Sequence, residues 1–372
     1  MHEILLVAGE VSGDDHGAAV LKHLTAMDDE LHAFGIGGEA LANQGMELMY
    51  HLRDLAFLGI GEIIRHLPFI FEVQRRLLQA CSERQPRAAI LIDYPGFNLR
   101  LAKRLHQLDI KVIYYISPQL WAWGRRRVHK IKRYVHKMLV LFPFEKKFYQ
   151  QYGIDVKYVG HPLVDKYHHL VNAGQEPLTG ETKRIGILPG SRKQEVSALL
   201  PKMLQTARQL HQEGLIREAI IVRVHHLEEA FYHDFLNAND DFVRIRQVPL
   251  QDILPQLHAA LVASGTATLE TGYFQVPMVI VYHVNPLTYW IGRLLVKVRF
   301  IGLVNIVAEK EVAPELIQSD FKPAKAAQLL QTMISDEHHR YRQSLATIRE
   351  KLGAPGAAQR AAQTILNELN GT

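Results

Sequence analysis

The sequence predicts an α/β protein of two doubly wound domains with a ligand-binding cleft between them. Three observations carry that expectation. A chain of 372 residues exceeds what one ordinary core supports. Short apolar runs alternating with amphipathic stretches fill the first half and then resume in the second. Between the two lies "NAGQEPLTGETK" (Asn172–Lys183), a polar stretch with Gly and Pro and no periodicity, which reads as a linker. The expected domains are therefore 1–172 and 183–339, with a last helix, about 340–372, packing back on the first.

In chain order, "EILLVAG" predicts a strand and is followed by a helix from about Asp15 to Ala26. "AAILIDYP" precedes the helical "NLRLAKRLHQL", "KVIYYIS" and "KMLVLFP" bracket a basic helix, and "VKYVGHPL" closes the half. The rhythm restarts with "RIGILPG" leading into "EVSALLPKMLQTARQLHQEG". "EAIIVRV", "FVRIRQV", "AALVASG" and "PMVIVYHV" read as further strands, and the tail from about Pro323 to Asn370 reads as helical. Apolar runs too short for helices, each followed by a helix, imply βα units and parallel sheets.

Composition narrows the class. Hydrophobic residues make up 48% of the chain, which excludes a disordered protein. The charge balance, 43 Lys+Arg against 38 Asp+Glu, is only mildly basic. The single cysteine, Cys81, allows neither an internal disulfide nor a cysteine zinc cluster, and a reducing compartment fits it. No leader pattern and no run long enough to span a bilayer is evident, so a cytoplasmic protein is expected, with contact to a membrane surface still open.

Ligands of doubly wound sheets bind beyond the carboxyl ends of the strands, so the strand-end loops are the places to search. The first, "AGEVSGDDHG", does not match the dinucleotide glycine pattern. Ser12 with Asp15 three residues on resembles a capping box, and Glu10 stands at the strand end, where a carboxylate can accept hydrogen bonds from a sugar hydroxyl. In the second, "IDYPGFN", Asp93 ends an apolar strand. It is either a turn-former or a general base whose burial raises its pKa. The third, "ISPQLWAWGRRRVHKIKRYVHKM", has an apolar stripe at Val128, Ile131, Val135 and Met138. Its other face carries Arg125, Arg126, Arg127, Lys130, Lys132, Arg133 and Lys137. That face is either solvated surface or a site for a phosphate-bearing ligand or anionic lipid. The aromatics are not interleaved as a nucleic-acid platform requires.

The fourth loop, "ILPGSRKQEV", is a strand end, a turn and a helix start. Ser191 and Gln194 read as a capping box there, which leaves Arg192 unexplained. A helix N-terminus contributes about 0.3–1 kcal/mol to anion binding, and a charge-assisted hydrogen bond about 1.5–3 kcal/mol, so Arg192 should dominate any diphosphate contact. In the fifth, "ASGTATLETG", Ser264, Gly265 and Thr266 let a phosphate approach backbone amides. Glu270 either balances the helix dipole or holds two ribose hydroxyls. The chain lacks D-x-D, H-E-x-x-H, the P-loop and G-x-S-x-G, which points away from metal sites and ATP hydrolysis and toward group transfer from a nucleotide-activated donor.

Taken together and in order, "AGEVSGD", "SPQLWAW", "GHPL", "LPGSRKQEV", "ASGTATLE" and "PELIQ" resemble the lipid-A-disaccharide synthases, which are GT-B glycosyltransferases. The resemblance implies an inverting hexosyltransferase without a cofactor or a required metal. It would move 2,3-diacylglucosamine from its UDP derivative to the 6-hydroxyl of 2,3-diacylglucosamine 1-phosphate, giving the β(1→6) disaccharide 1-phosphate and UDP. It further implies an acceptor-binding first domain and a donor-binding second one. Asp93 matches the family's essential aspartate, Arg192 its essential arginine, and Glu10 and Ser12 its first-loop pair. Ser264, Gly265, Thr266, Glu270, Asn305 and Glu315 match the UDP side, and Gln119 and Trp121 the acceptor-side loop. The chain departs from the pattern at Gly96, where many members carry a second aspartate, and at Glu309 and Lys310, which stand for a glycine and an arginine.

"LAFLGIGEIIRHLPFIFEV" is dense in apolar residues. Part of it reads as buried helix, and the resemblance assigns Ile60, Ile63 and Ile64 to acyl chains and the inner-membrane surface, which would make the protein peripheral there. Two other readings stay open on the residues: a UDP-sugar 2-epimerase of the same fold, and a non-catalytic membrane-attached nucleotide-sugar binder. Nucleic acid is not an expected partner.

Overall fold

The computed structural model describes residues 2–55, 67–122, 124–172, 183–285, 289, 299–335 and 337–371. The chain divides into two compact units, Met1–Asp165 with Ala354–Thr372, and Lys166–Gly353.

The sheet of the first unit is built from β1 (His2–Ala8), β2 (Leu31–Gly37), β3 (Glu47–His51), β4 (Ala88–Ile92), β5 (Lys111–Tyr115), β6 (Lys137–Val140) and β7 (Val156–Tyr158). All seven strands run parallel in the order β3-β2-β1-β4-β5-β6-β7. Helices on both faces bury the central strands completely, which is why β4 is the uninterrupted apolar run AAILI. The core joins Leu5, Val7, Leu91, Val112 and Tyr114 of the sheet to Leu77 and Cys81 of helix Leu67–Arg84 and to Leu101 and Leu105 of helix Pro95–His106.

Two acids, Asp14 buried and Asp165 half-buried, tie this unit together. Asp14, in the first turn of helix Val11–Met27, accepts N–H bonds from Gly38, Ala40 and Leu41 at 2.6, 2.9 and 3.3 Å. Asp165 accepts from Gly356, Ala357 and Ala358 at 2.5, 3.0 and 3.0 Å and so caps the last helix, Ala357–Asn370. That helix packs on Val11–Met27, and Lys111 donates to the Glu368 carbonyl at 2.9 Å.

The second sheet comprises β8 (Arg184–Leu188), β9 (Glu218–Val222), β10 (Val243–Arg246), β11 (Ala259–Ala263), β12 (Met278–Tyr282) and β13 (Glu315–Ile317), again parallel, in the order β10-β9-β8-β11-β12-β13. Its core packs helices Lys193–Gln212 and Pro323–Ile334 against the strands.

In both sheets the strand order reverses once, between β1 and β4 in the first and between β8 and β11 in the second. Connections leave toward opposite faces at such a point, so the loops part there and leave a crevice at the carboxyl ends.

The structure corrects several boundaries. Residues 166–172 and helix His338–Leu352 belong to the second unit, so only the helix from Ala357 belongs to the first. The first helix starts at Val11, four residues earlier than expected. The basic helix ends at Tyr134, and Met138 lies in β6, so the apolar spacing past Ile131 is not one helical stripe.

Candidate active site

Glu10 and Asp93 follow the two strands at the reversal point of the first sheet. Asp93 and Tyr94 both hold positive φ, 45° and 44°, a conformation that costs non-glycine residues about 1–3 kcal/mol each. The turn is held from several sides. The Asp93 amide donates to the Tyr115 carbonyl at 3.0 Å. The buried Asn98 amide donates to the carbonyls of Ile92 and Asp93 at 3.1 and 2.9 Å, and the Tyr114 hydroxyl donates to the same Asp93 carbonyl. The Tyr94 ring lies against Gly9, where a Cβ would come within 2.3 Å of it.

Burial pushes the Asp93 carboxyl up to about 6, with a further rise from the negative charge of Glu10 and a partial offset from the Tyr94 amide. Beside it, Glu10, Leu52, Leu55, Ile70, Tyr94, Phe97 and Arg100 line a pocket of about 380 Å³.

Ser12 is exposed inside helix Val11–Met27 and does not cap it; Glu10 occupies the N-cap position without a side-chain bond. In the third loop Gln119 is exposed, while Trp121 is buried edge-on against Phe144 at 5.1 Å. Glu145 supports this region. It is buried, accepts N–H bonds from Leu141 and Phe142 at 3.1 and 3.0 Å, and is pushed up to about 7 by burial.

In the second unit the turn after β8 and the start of the helix after β11 bound a pocket of about 260 Å³, lined among others by Gly190, Ser191, Ser264, Gly265, Thr266 and Arg223. Gly190 has φ +103°, a conformation that favours glycine, and a Cβ there would lie 2.1 Å from Glu195 Oε2, so a larger residue would also displace that carboxylate. Glu195 Oε2 accepts the Ser191 amide at 3.2 Å. The cap of helix Lys193–Gln212 is therefore Glu195, in place of the expected Ser191–Gln194 box. Arg192 is the exposed N-cap residue with no side-chain cap bond, and burial raises Glu195 while the Arg192 charge lowers it. Gly265 and Thr266 open helix Thr266–Tyr273, and the Ser264 hydroxyl donates to the Ile301 carbonyl at 3.2 Å. Glu270 accepts the Tyr167 hydroxyl at 2.6 Å.

Asn305 is turned inward with its hydrogen-bonding positions filled, and the half-buried Glu315 is one of its partners. Asn305 is fully buried; its amide donates to the Ala313 carbonyl at 2.7 Å and to Glu315 at 2.8 Å, and its oxygen accepts from Val312 and Ala313 at 2.8 and 3.0 Å. All four of its hydrogen-bonding positions are filled. Glu315 accepts from the amides of Ile301 and Gly302, both at 2.9 Å. The pair fixes the loop whose Ile301 carbonyl holds Ser264.

Ile60, Ile63 and Ile64 lie outside the described residues. Asn98, Arg100, Glu145, Tyr167 and Arg223 were not singled out from the sequence. Asn98 had a signal, a polar residue among the apolar positions of an amphipathic helix.

Known proteins match along the whole length. The sequence model described as lipid-A-disaccharide synthetase covers residues 4–367. The chain belongs to that family. It is 39% identical to the lipid-A-disaccharide synthase of Myxococcus xanthus (strain DK1622), over 98% of this chain and 97% of that protein. It is 40% identical to the lipid-A-disaccharide synthase of Syntrophus aciditrophicus (strain SB), over 96% of each. Among solved structures, the S. aureus MnaA–UDP co-structure superposes with a TM-score of 0.67 at 12% identity, covering 100% of this chain and 97% of that chain. Acinetobacter baumannii MurG superposes with a TM-score of 0.61 at 15% identity, covering 98% and 99%. These likenesses are of fold and place the two parallel-sheet domains in the GT-B class.

Proposed function

We propose that the chain is the inverting hexosyltransferase of its family, joining 2,3-diacylglucosamine from its UDP derivative to 2,3-diacylglucosamine 1-phosphate. The observation that carries the reading is the Asp93 turn: a carboxylate raised to about 6, held in a strained conformation at the reversal point of the sheet, beside a pocket with apolar walls. A base poised near the working pH accepts the proton of the acceptor 6-hydroxyl as that oxygen attacks the anomeric carbon. The glycosidic bond to UDP breaks with inversion, and its electron pair leaves on the diphosphate.

The first unit binds the acceptor and the second the UDP-sugar. Glu10 orients a sugar hydroxyl. Arg192 meets the diphosphate beside the Gly265 and Thr266 amides, where preorganised donors stabilise the charge of the leaving group. Glu270, aligned by Tyr167, takes the ribose hydroxyls. Asn305 and Glu315 act by positioning the Ser264 loop.

Both substrates carry acyl chains, and burying each methylene is worth about 0.8 kcal/mol, so they reside in membranes. No helix among the described residues is long and apolar enough to cross one. A peripheral attachment by the first unit fits the exposed Phe69 and Phe71 at the start of helix Leu67–Arg84. The deciding experiment is mass-spectrometric detection of the disaccharide from synthetic donor and acceptor of varied chain length. Loss of UDP-N-acetylglucosamine to a 2-epimer, with no disaccharide formed, would overturn the reading.

A further inference from the structure

The pocket beside Asp93 is two-sided in character. Leu52, Leu55, Leu67, Ile70 and Phe97 supply an apolar wall, while Arg100 contributes a cation at its rim. Arg100 is exposed, one turn along helix Pro95–His106 from Gly96, and among the described residues its side chain makes no ion pair with Glu10 or any other acid. Gly96, also at the pocket, has open space where a Cβ would stand and no positive φ to require glycine. Position 96 thus admits side chains sterically, yet it leaves the approach to Arg100 clear and uncharged. A volume of about 380 Å³ suits a small ligand or a length of chain. An unpaired guanidinium at the mouth of an apolar pocket matches a ligand with an anionic head and a hydrocarbon tail.

We infer that this pocket selects the acceptor: its apolar wall takes an acyl chain, and Arg100, left accessible by Gly96, binds the phosphate of the acyl-sugar phosphate. The inference rests on the transfer reaction proposed above.

The test compares wild type, Arg100→Gln, Gly96→Asp and Gly96→Ala on 2,3-diacylglucosamine with and without its 1-phosphate. Gly96→Asp sits in the first helical turn, where a negative charge favours the helix, and four residues before Arg100, which it can pair with. It therefore keeps the fold while partly neutralising the reader. Arg100→Gln should raise KM for the phosphorylated acceptor about tenfold or more, and Gly96→Asp should raise it by less, because an exposed i,i+4 pair competes for the guanidinium only weakly. KM for the dephosphorylated acceptor and for the UDP-sugar should stay unchanged, as should the melting temperature. Gly96→Ala adds a methyl group without charge and should leave the ratio of the two acceptors' KM values as in wild type, and shortening the acyl chains should raise KM in every variant. Unchanged KM in both charge variants, or an equal rise for both acceptors, overturns the assignment. A wild-type chain that makes no disaccharide would instead refute the reaction. Calorimetric titration of detergent-solubilised phosphorylated acceptor then still reads the pocket: weaker binding to Arg100→Gln supports it, and equal affinity overturns it.

Discussion

Glu10 and Asp93 follow the carboxyl ends of neighbouring strands, and the charge of Glu10 adds to burial in holding the Asp93 carboxyl at about 6. A base must be ionised to work, so kcat/KM should rise with pH through about 6 and level off above it. Glu10→Gln removes one of the two causes of the rise, so the acidic limb should move to lower pH. Asp93→Asn should lower kcat by about 10²–10⁴ and abolish that limb. A rate profile over pH 4.5–8.5 checks all three, and a limb unmoved by Glu10→Gln would break the coupling.

The same residue makes a stability prediction of opposite sense. The folded carboxyl titrates at about 6 against an ordinary 3.8, so the fold favours the protonated form. Its contribution is fully present below the ordinary value and is lost as pH rises through about 6. Asp93→Asn stays neutral and should be the more stable protein above neutrality, by about 1–3 kcal/mol. The advantage should vanish near pH 4. Urea unfolding at both pH values reads it.

Much of this was legible in the sequence, and the exceptions have physical causes. Central strands such as AAILI are buried on both faces and read as apolar runs. β2 (LHAFGIG) carries two glycines, β3 (ELMYH) is half-exposed at the sheet edge, and β13 is three residues long; none gives such a run. The strand-end acids were found because they interrupt an apolar pattern. Capping was misread at both Ser12 and Ser191, because the motif specifies residue types at a spacing and a nearby carboxylate can take over, as Glu195 does. The inward turn of Asn305 depends on Val312, Ala313 and Glu315, contacts made by a chain reversal that no local pattern encodes.

Asn305→Ala should therefore act first on folding. It strips the partners from the buried amides of Val312 and Ala313 and from Glu315, a loss of about 2–4 kcal/mol. The donor KM should rise with the loosened Ser264 loop. Denaturant unfolding separates this from a direct contact, which would change KM and leave stability intact.

Tyr167→Phe removes the 2.6 Å bond to Glu270 and keeps the ring that packs on Phe274. Stability should fall by about 1 kcal/mol, with a severalfold rise in donor KM as Glu270 loses its alignment. Acceptor KM should not move. Initial-rate kinetics with each substrate varied in turn checks the split.

Arg192→Ala should abolish most transfer while the protein stays folded, because the helix that follows is capped by Glu195 and not by this loop's own side chains. Glu195→Ala should do the reverse. It leaves the Ser191 amide unpaired and costs about 1 kcal/mol at the helix start, and it also relieves the contact that confines position 190. If Arg192 serves the diphosphate, Arg192→Lys should restore part of kcat, since an ammonium keeps the charge but not the two-pronged geometry of the guanidinium. Unfolding curves and kcat measured together decide it: Arg192→Ala with a large stability loss would return this residue to a purely structural role.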